Sequence, residues 1–86
     1  MAVEIVMYAT GWCGFCARAR ALLQSKSAAL REIDTDDAEA RAEMIERTGR
    51  RTVPQIFIGS RHIGGYEELR SLELSGELDS MLKESP

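Results

Sequence analysis

Ile5-Val6-Met7-Tyr8-Ala9-Thr10-Gly11-Trp12-Cys13-Gly14-Phe15-Cys16-Ala17-Arg18-Ala19-Arg20-Ala21-Leu22-Leu23 changes its periodicity midway. Upstream, from Val3 to Tyr8, apolar residues stand at nearly every position with only Glu4 polar, the pattern of a central strand covered on both faces. Downstream, from Gly14 to about Lys26, the residues are mostly Ala, Leu, Arg and Gln, all favourable in helices. There Cys16, Ala19, Leu22 and Leu23 fall on one helical face. The stretch predicts a strand feeding an amphipathic helix, and both cysteines of the chain, Cys13 and Cys16, stand where the helix begins.

Working outward, Leu30-Arg31-Glu32-Ile33-Asp34 predicts a short strand with Leu30 and Ile33 as its apolar members. Thr35 or Asp36 is the expected cap of a second helix, since Asp36 and Glu39 have the spacing of a capping box. That helix is expected to run to Thr48 and stop at Gly49, with Glu43 and Arg47 as an i,i+4 pair in the favourable order. After Thr52-Val53-Pro54, the runs Gln55–Ile58 and Arg61–Ile63 flank the Gly59-Ser60 turn and predict an antiparallel hairpin. Gly64-Gly65 opens a third helix to about Leu74, and Gly76 separates it from a last short helix, Glu77 to Lys83. The order is β-α-β-α-β-β-α plus a short terminal helix. A parallel pair joined by a right-handed crossover, followed by a hairpin, implies an α/β fold. The expectation is a four-stranded mixed sheet with helices on both faces, in a single domain spanning residues 1–86.

A net charge of -3, from 11 basic against 14 acidic residues, argues against a nucleic-acid surface, which needs concentrated positive charge. Arg50 and Arg51 make only a local basic pair. No stretch approaches the length of a membrane span, and Met1 to Tyr8 reads as strand, without a charged leader or a cleavable apolar run. A cytoplasmic protein is expected, where thiols stay reduced unless they are in use.

A Cys13–Cys16 bridge would close too short a loop to constrain the unfolded chain much. A structural zinc site takes about four ligands, and beyond two thiols the chain has one histidine, His62, so no metal site within one subunit is expected. Redox chemistry fits better. Positions i and i+3 share a helix face, so the two sulfurs can bond within one turn. Unpaired N–H groups and the positive end of the helix dipole stabilise a thiolate at Cys13, which is expected to attack first. Cys16, one turn inside, suits the resolving thiol. Gly14 leaves the approach open, and Phe15 is expected at an exposed rim. Trp12 reads equally as a core residue and as part of an apolar rim that docks substrate. Arg18 and Arg20 read as solvated charges, with Arg18 also placed to add a positive field at the site. A Cys-x-x-Cys beside a β-α-β pattern in an intracellular chain is a thioredoxin-like redox motif.

The strand Glu4–Tyr8, the motif Cys13-Gly14-Phe15-Cys16 and the segment from Arg51 to Leu69 together resemble the glutaredoxin family over nearly the whole chain, most of all its small bacterial-type dithiol members. The resemblance implies a thioredoxin fold and a glutathione-dependent thiol-disulfide oxidoreductase, with Cys13 as nucleophile and Cys16 as resolving thiol. Its partners would be glutathione, as co-substrate, and glutathionylated or disulfide-containing proteins. Implied glutathione contacts are Tyr8, Thr10, Phe15, Arg41, Thr52, Val53, Pro54, Gly65, Tyr66 and Glu67. Pro54 matches a family proline that is cis, and the backbone of Val53 would pair with the cysteinyl part of an extended ligand, as a strand would. Arg41 would meet the glycine carboxylate, and the segment from Gly64 to Glu68 the γ-glutamyl end. Thr10 stands where the family has a lysine, and Glu67 and Glu68 where shorter Asp or Ser are usual.

The Gly14-Phe15 middle of the motif also resembles that of cluster-carrying monothiol members. It implies an alternative function, binding or transfer of a 2Fe–2S cluster by a dimer through Cys13 and glutathione of each subunit. A monomer is expected otherwise.

Overall fold

The computed structural model describes residues 3–83. Met1 and Ala2, at the head of the stretch read as strand, lie outside the described residues. The elements are β1 (Ile5–Ala9), α1 (Gly14–Ser25), β2 (Leu30–Asp34), α2 (Ala38–Thr48), β3 (Gln55–Ile58), β4 (Arg61–Gly64), α3 (Tyr66–Ser75) and α4 (Glu77–Lys83). The strands lie in the order β2-β1-β3-β4. β1 is parallel to β2, in the register Ile5 opposite Leu30 through Ala9 opposite Asp34, and antiparallel to β3, which pairs antiparallel with β4. This is the expected mixed sheet of four strands. β1 starts later and ends later than its apolar run suggests, because β2 fixes its register as far as Ala9. Glu4, just before it, still accepts a hydrogen bond from the Gly59 N–H at 2.9 Å.

Alternation along the two central strands divides the core. Ile5, Met7 and Ala9 of β1 and Ile56 and Ile58 of β3 pack with Cys16, Ala19 and Leu23 of α1, Leu69 of α3, and Leu78 and Met81 of α4. On the other face Tyr8 and Phe57 pack with Met44 of α2. The sheet is therefore covered on both sides, and each fully buried Leu or Ile contributes about 1.5–3 kcal/mol relative to exposure. Among the described residues no helix is long and apolar enough to cross a membrane.

Two local expectations are corrected. The N-cap of α2 is Asp37, whose side chain accepts from the Ala40 N–H at 2.9 Å, and neither Thr35 nor Asp36 serves. Thr35 is buried and gives both its N–H and its hydroxyl to the Ala9 carbonyl, at 2.9 and 3.1 Å, while the Asp36 N–H is held by the Asp34 carboxylate at 2.9 Å. Those bonds draw Thr35 into the sheet and turn the chain at Asp36, which places Asp37 at the helix start. Arg47 does not pair with Glu43. It donates instead to the Tyr8 hydroxyl at 2.8 Å and covers the Phe57 ring at 4.1 Å.

Gly49 ends α2 in the left-handed region (φ 71°), as expected. Gly64 is left-handed too (φ 114°), and a Cβ there would collide with the Glu68 carboxylate, so glycine is what lets β4 turn directly into α3. Lys26, at the end of α1, bridges Glu73 and Asp79 at 2.8 and 2.9 Å and so ties α1 to α3 and α4.

Candidate active site

Cys13 is the N-cap of α1, with extended backbone (φ -133°, ψ 110°), and its sulfur accepts the Cys16 N–H at 3.1 Å. That bond fills a cap role usually taken by Ser or Asp, and it concentrates a helix-start donor and the positive end of the dipole on one sulfur. Both cysteines are free thiols. Cys13 is partly exposed, whereas Cys16 has no exposed surface. Burial first, and then its hydrogen bond with Cys13, push the Cys16 thiol up to about 12. The two thiols therefore divide into an accessible one at the helix start and a buried, protonated one a turn inside the helix.

Across from Cys13 lies the segment leading into β3. The Cys13 thiol donates to the Val53 carbonyl at 3.7 Å, and the Val53-Pro54 peptide is cis. Beside this contact runs a groove of about 310 Å³, walled by Phe15 of α1, by Arg50, Thr52, Val53, Pro54 and Gln55, and by Gly65, Tyr66, Glu67 and Glu68 at the start of α3. Phe15 and Tyr66 stack across it with ring centroids 6.2 Å apart, and Arg18 lies over the outer ring at 5.6 Å. Gly65 fits tightly against the other wall, since a Cβ there would lie 3.4 Å from the Pro54 carbonyl oxygen.

The groove brings together seven of the residues named from the sequence, Phe15, Thr52, Val53, Pro54, Gly65, Tyr66 and Glu67, while Tyr8, Thr10 and Arg41 lie elsewhere. Tyr8 has no exposed surface for a ligand to touch; it packs against Phe57 and Met44 on the face covered by α2, with its hydroxyl bonded to Arg47. Thr10 lies in a separate hollow of about 230 Å³ between the end of β1 and β2, beside the Arg20–Glu32 ion pair. Arg41 is exposed on α2 and is not part of the groove wall. Trp12 is 99% exposed and Phe15 51%, so the apolar rim is real and the core reading of Trp12 is not.

Sequence reasoning missed Arg50 and Gln55. The one signal for Arg50 was the basic pair preceding Thr52, and nothing in the sequence marked Gln55. Glu68 accepts from the Gly65 N–H at 2.8 Å and from Arg50 at 2.9 Å, so it completes half of a capping box rather than standing free for an ammonium group. The Gly65 hydrogen bond and then Arg50 hold its carboxyl below the usual range. Glu67 remains the exposed carboxylate of this wall.

Comparison with known proteins finds relatives of this chain and of its fold. The family model described as Glutaredoxin matches residues 5–63. The chain is 48% identical over 81 residues to glutaredoxin 3 of Escherichia coli, covering 93% of this chain and 98% of that protein. Among solved structures, that of glutaredoxin from Brucella melitensis has a TM-score of 0.83 at 53% identity, covering 95% of this chain and 90% of the other. A crystal structure of a buckwheat glutaredoxin–glutathione complex has a TM-score of 0.84 at 33% identity, covering 93% and 76%. The fold is thioredoxin-like, and on the family match and these identities the chain belongs to the glutaredoxin family.

Proposed function

We propose that the protein is a glutathione-dependent thiol-disulfide oxidoreductase that removes glutathione from mixed disulfides with proteins and reduces protein disulfides. The observation that carries this is Cys13, capped by the Cys16 N–H and set against Val53 at the edge of a peptide-sized groove. The Cys13 thiolate attacks the glutathione sulfur of a mixed disulfide. The protein sulfur leaves, takes up a proton, and Cys13 now carries glutathione. Backbone at Val53, ahead of β3, suits an extended γ-peptide, while the helix start at Gly65 and the Glu67 carboxylate suit its charged γ-glutamyl end.

Release of glutathione has two routes. Cys16 can displace it, giving a Cys13–Cys16 disulfide that two further thiols reduce, or a second glutathione can attack directly. Cys16 is high partly through its hydrogen bond with Cys13, a contribution that ends once Cys13 is in a disulfide, but burial remains. Direct attack by glutathione therefore carries most of the deglutathionylation. With a glutathionylated peptide, glutathione, glutathione reductase and NADPH, Cys13→Ser is expected to abolish NADPH oxidation and Cys16→Ser to keep most of it. Activity retained by Cys13→Ser would sink the mechanism. Reduction of a peptide disulfide by the Cys16→Ser variant is expected to be far weaker.

A second reading has one observation in its favour: Gly14, beside the partly exposed Cys13, has open space around it, with nothing within 4 Å of an added Cβ. Cys13 is the residue that would hold a 2Fe–2S cluster, the other ligands coming from glutathione and a second subunit. Such a cluster takes thiolate ligands, and no set of three His, Cys, Asp or Glu side chains able to hold a metal occurs among the described residues. Anaerobic reconstitution with iron, sulfide and glutathione tests it, and a colourless monomer would end it.

A further inference from the structure

Gln55 opens β3 with 1% of its surface exposed, and Thr35 is the other buried polar side chain among the described residues. A buried amide is costly unless each of its polar groups is paired. Here each one is. The Gln55 amide nitrogen donates to the Thr52 carbonyl at 3.0 Å and to the Thr52 hydroxyl at 3.3 Å. Its oxygen lies 2.8 Å from His62 Nε2. With the NH₂ committed to Thr52, the oxygen must accept, so His62 carries a proton on Nε2. The imidazole is itself fixed, tilted over Phe57 at 5.0 Å, and Phe57 is covered in turn by Arg47.

Thr52 precedes the ladder that begins at Gln55, and the next residue, Val53, meets the Cys13 thiol. We propose that Gln55 is a positioning residue: its amide, braced by His62, holds Thr52 and with it the Thr52-Val53-Pro54 wall of the groove in the conformation that receives an extended peptide. The proposal rests on the proposed function only for what the groove receives. Fixing this backbone beforehand removes an ordering cost that binding would otherwise bear. The effect therefore belongs in affinity for the glutathione-bearing substrate and much less in attack by Cys13. Glutamate would not replace Gln55, since a carboxylate oxygen would face the Thr52 carbonyl where a donor is needed.

The test uses Gln55→Met, close in size and without the donor, and His62→Phe, which keeps a ring over Phe57 and removes the brace. KM and kcat are measured with a glutathionylated peptide, Cys13 reactivity with iodoacetamide, and backbone motion at Thr52 and Val53 by 15N relaxation. Gln55→Met is expected to raise KM roughly three- to tenfold, the equivalent of one or two net hydrogen bonds, with kcat and alkylation changing far less. His62→Phe is expected to move KM the same way by less, and both variants to loosen Thr52 and Val53. Unchanged KM and unchanged relaxation in the two variants would overturn the proposal, as would alkylation slowing in step with the rise in KM. If Gln55→Met does not fold, His62→Phe decides, because His62 is a surface residue. A wild-type protein that shows no saturation with the glutathionylated peptide would refute the functional reading, while the relaxation data would still decide the brace.

Discussion

Trp12 presents 99% of its surface to solvent one residue before Cys13, although an indole gains substantially from burial. No element packs over it, so Trp12→Ala should leave the denaturation midpoint almost unchanged, within about 0.5 kcal/mol. If the rim formed by Trp12 and Phe15 receives the protein side of a mixed disulfide, the same substitution slows turnover of a glutathionylated protein several-fold. Turnover of a mixed disulfide between glutathione and a small thiol should stay the same. Equal slowing on both substrates would place Trp12 in the glutathione groove instead. The two cysteines were legible in the sequence because their chemistry is local: one helix start decides which sulfur is exposed and which is buried. Trp12 was not, because its exposure depends on what the rest of the chain leaves uncovered. Arg50 and Gln55 escaped for the same reason, since the loop before β3 must close on α3 and β4 before Arg50 meets Glu68 and Gln55 meets His62. Arg41, matched by motif correspondence, lies exposed on α2 outside the groove wall, because such correspondence reports position in a family, not distance to a groove.

Strands and helices were legible almost to the residue, as periodicity and glycine punctuation set them without reference to distant contacts. The start of α2 shows where that reading stops. Thr35, Asp36 and Asp37 can all cap a helix, and the choice was made by the Ala9 carbonyl, which takes Thr35 into the β1–β2 ladder, and by Asp34, which turns the chain at Asp36. Asp37→Ala is therefore expected to cost about 1 kcal/mol in urea denaturation, the usual loss of an N-cap, while Asp36→Ala costs a small fraction of that. The reverse order would restore the capping box that the sequence suggested. Thr35→Ala should cost more than Asp36→Ala as well, since it removes a buried hydrogen bond to the end of the central strand.

At the scale of the molecule, charged pairs join elements that the core alone would leave free to slide. Arg20 and Glu32 tie α1 to β2 through two bonds of 2.7 Å, Arg50 and Glu68 tie the loop before β3 to α3, and Lys26 ties α1 to α3 and α4. Each exposed pair is individually weak, so their signature is sought in the pH dependence of stability rather than in a sum. Arg20 holds the Glu32 carboxyl below its usual 4.5, and the Gly65 N–H and then Arg50 do the same for Glu68. A carboxyl lowered in the fold stabilises it above the unfolded value, and that stability is lost as pH falls through the folded one. His62, lowered first by burial and then by Arg50, adds to the acid limb: its full contribution holds above 6.5 and declines as pH falls below that. Cys16 has the opposite sign. Raised by burial from 9.0 to about 12, it contributes stability that is complete below 9.0 and lost as pH climbs toward about 12, and Lys26, raised above 10.5 mainly by Glu73, acts in the same direction. Urea midpoints measured across pH should therefore form a plateau between about 6.5 and 9 with a fall on either side. Glu32→Gln with Glu68→Gln should reduce the acid limb to what His62 carries and leave the alkaline one, whereas Cys16→Ser should reduce the alkaline limb to what Lys26 carries and leave the acid one. An acid limb unchanged in the double variant would mean that His62 and other carboxylates carry it and that these two pairs do not couple the elements.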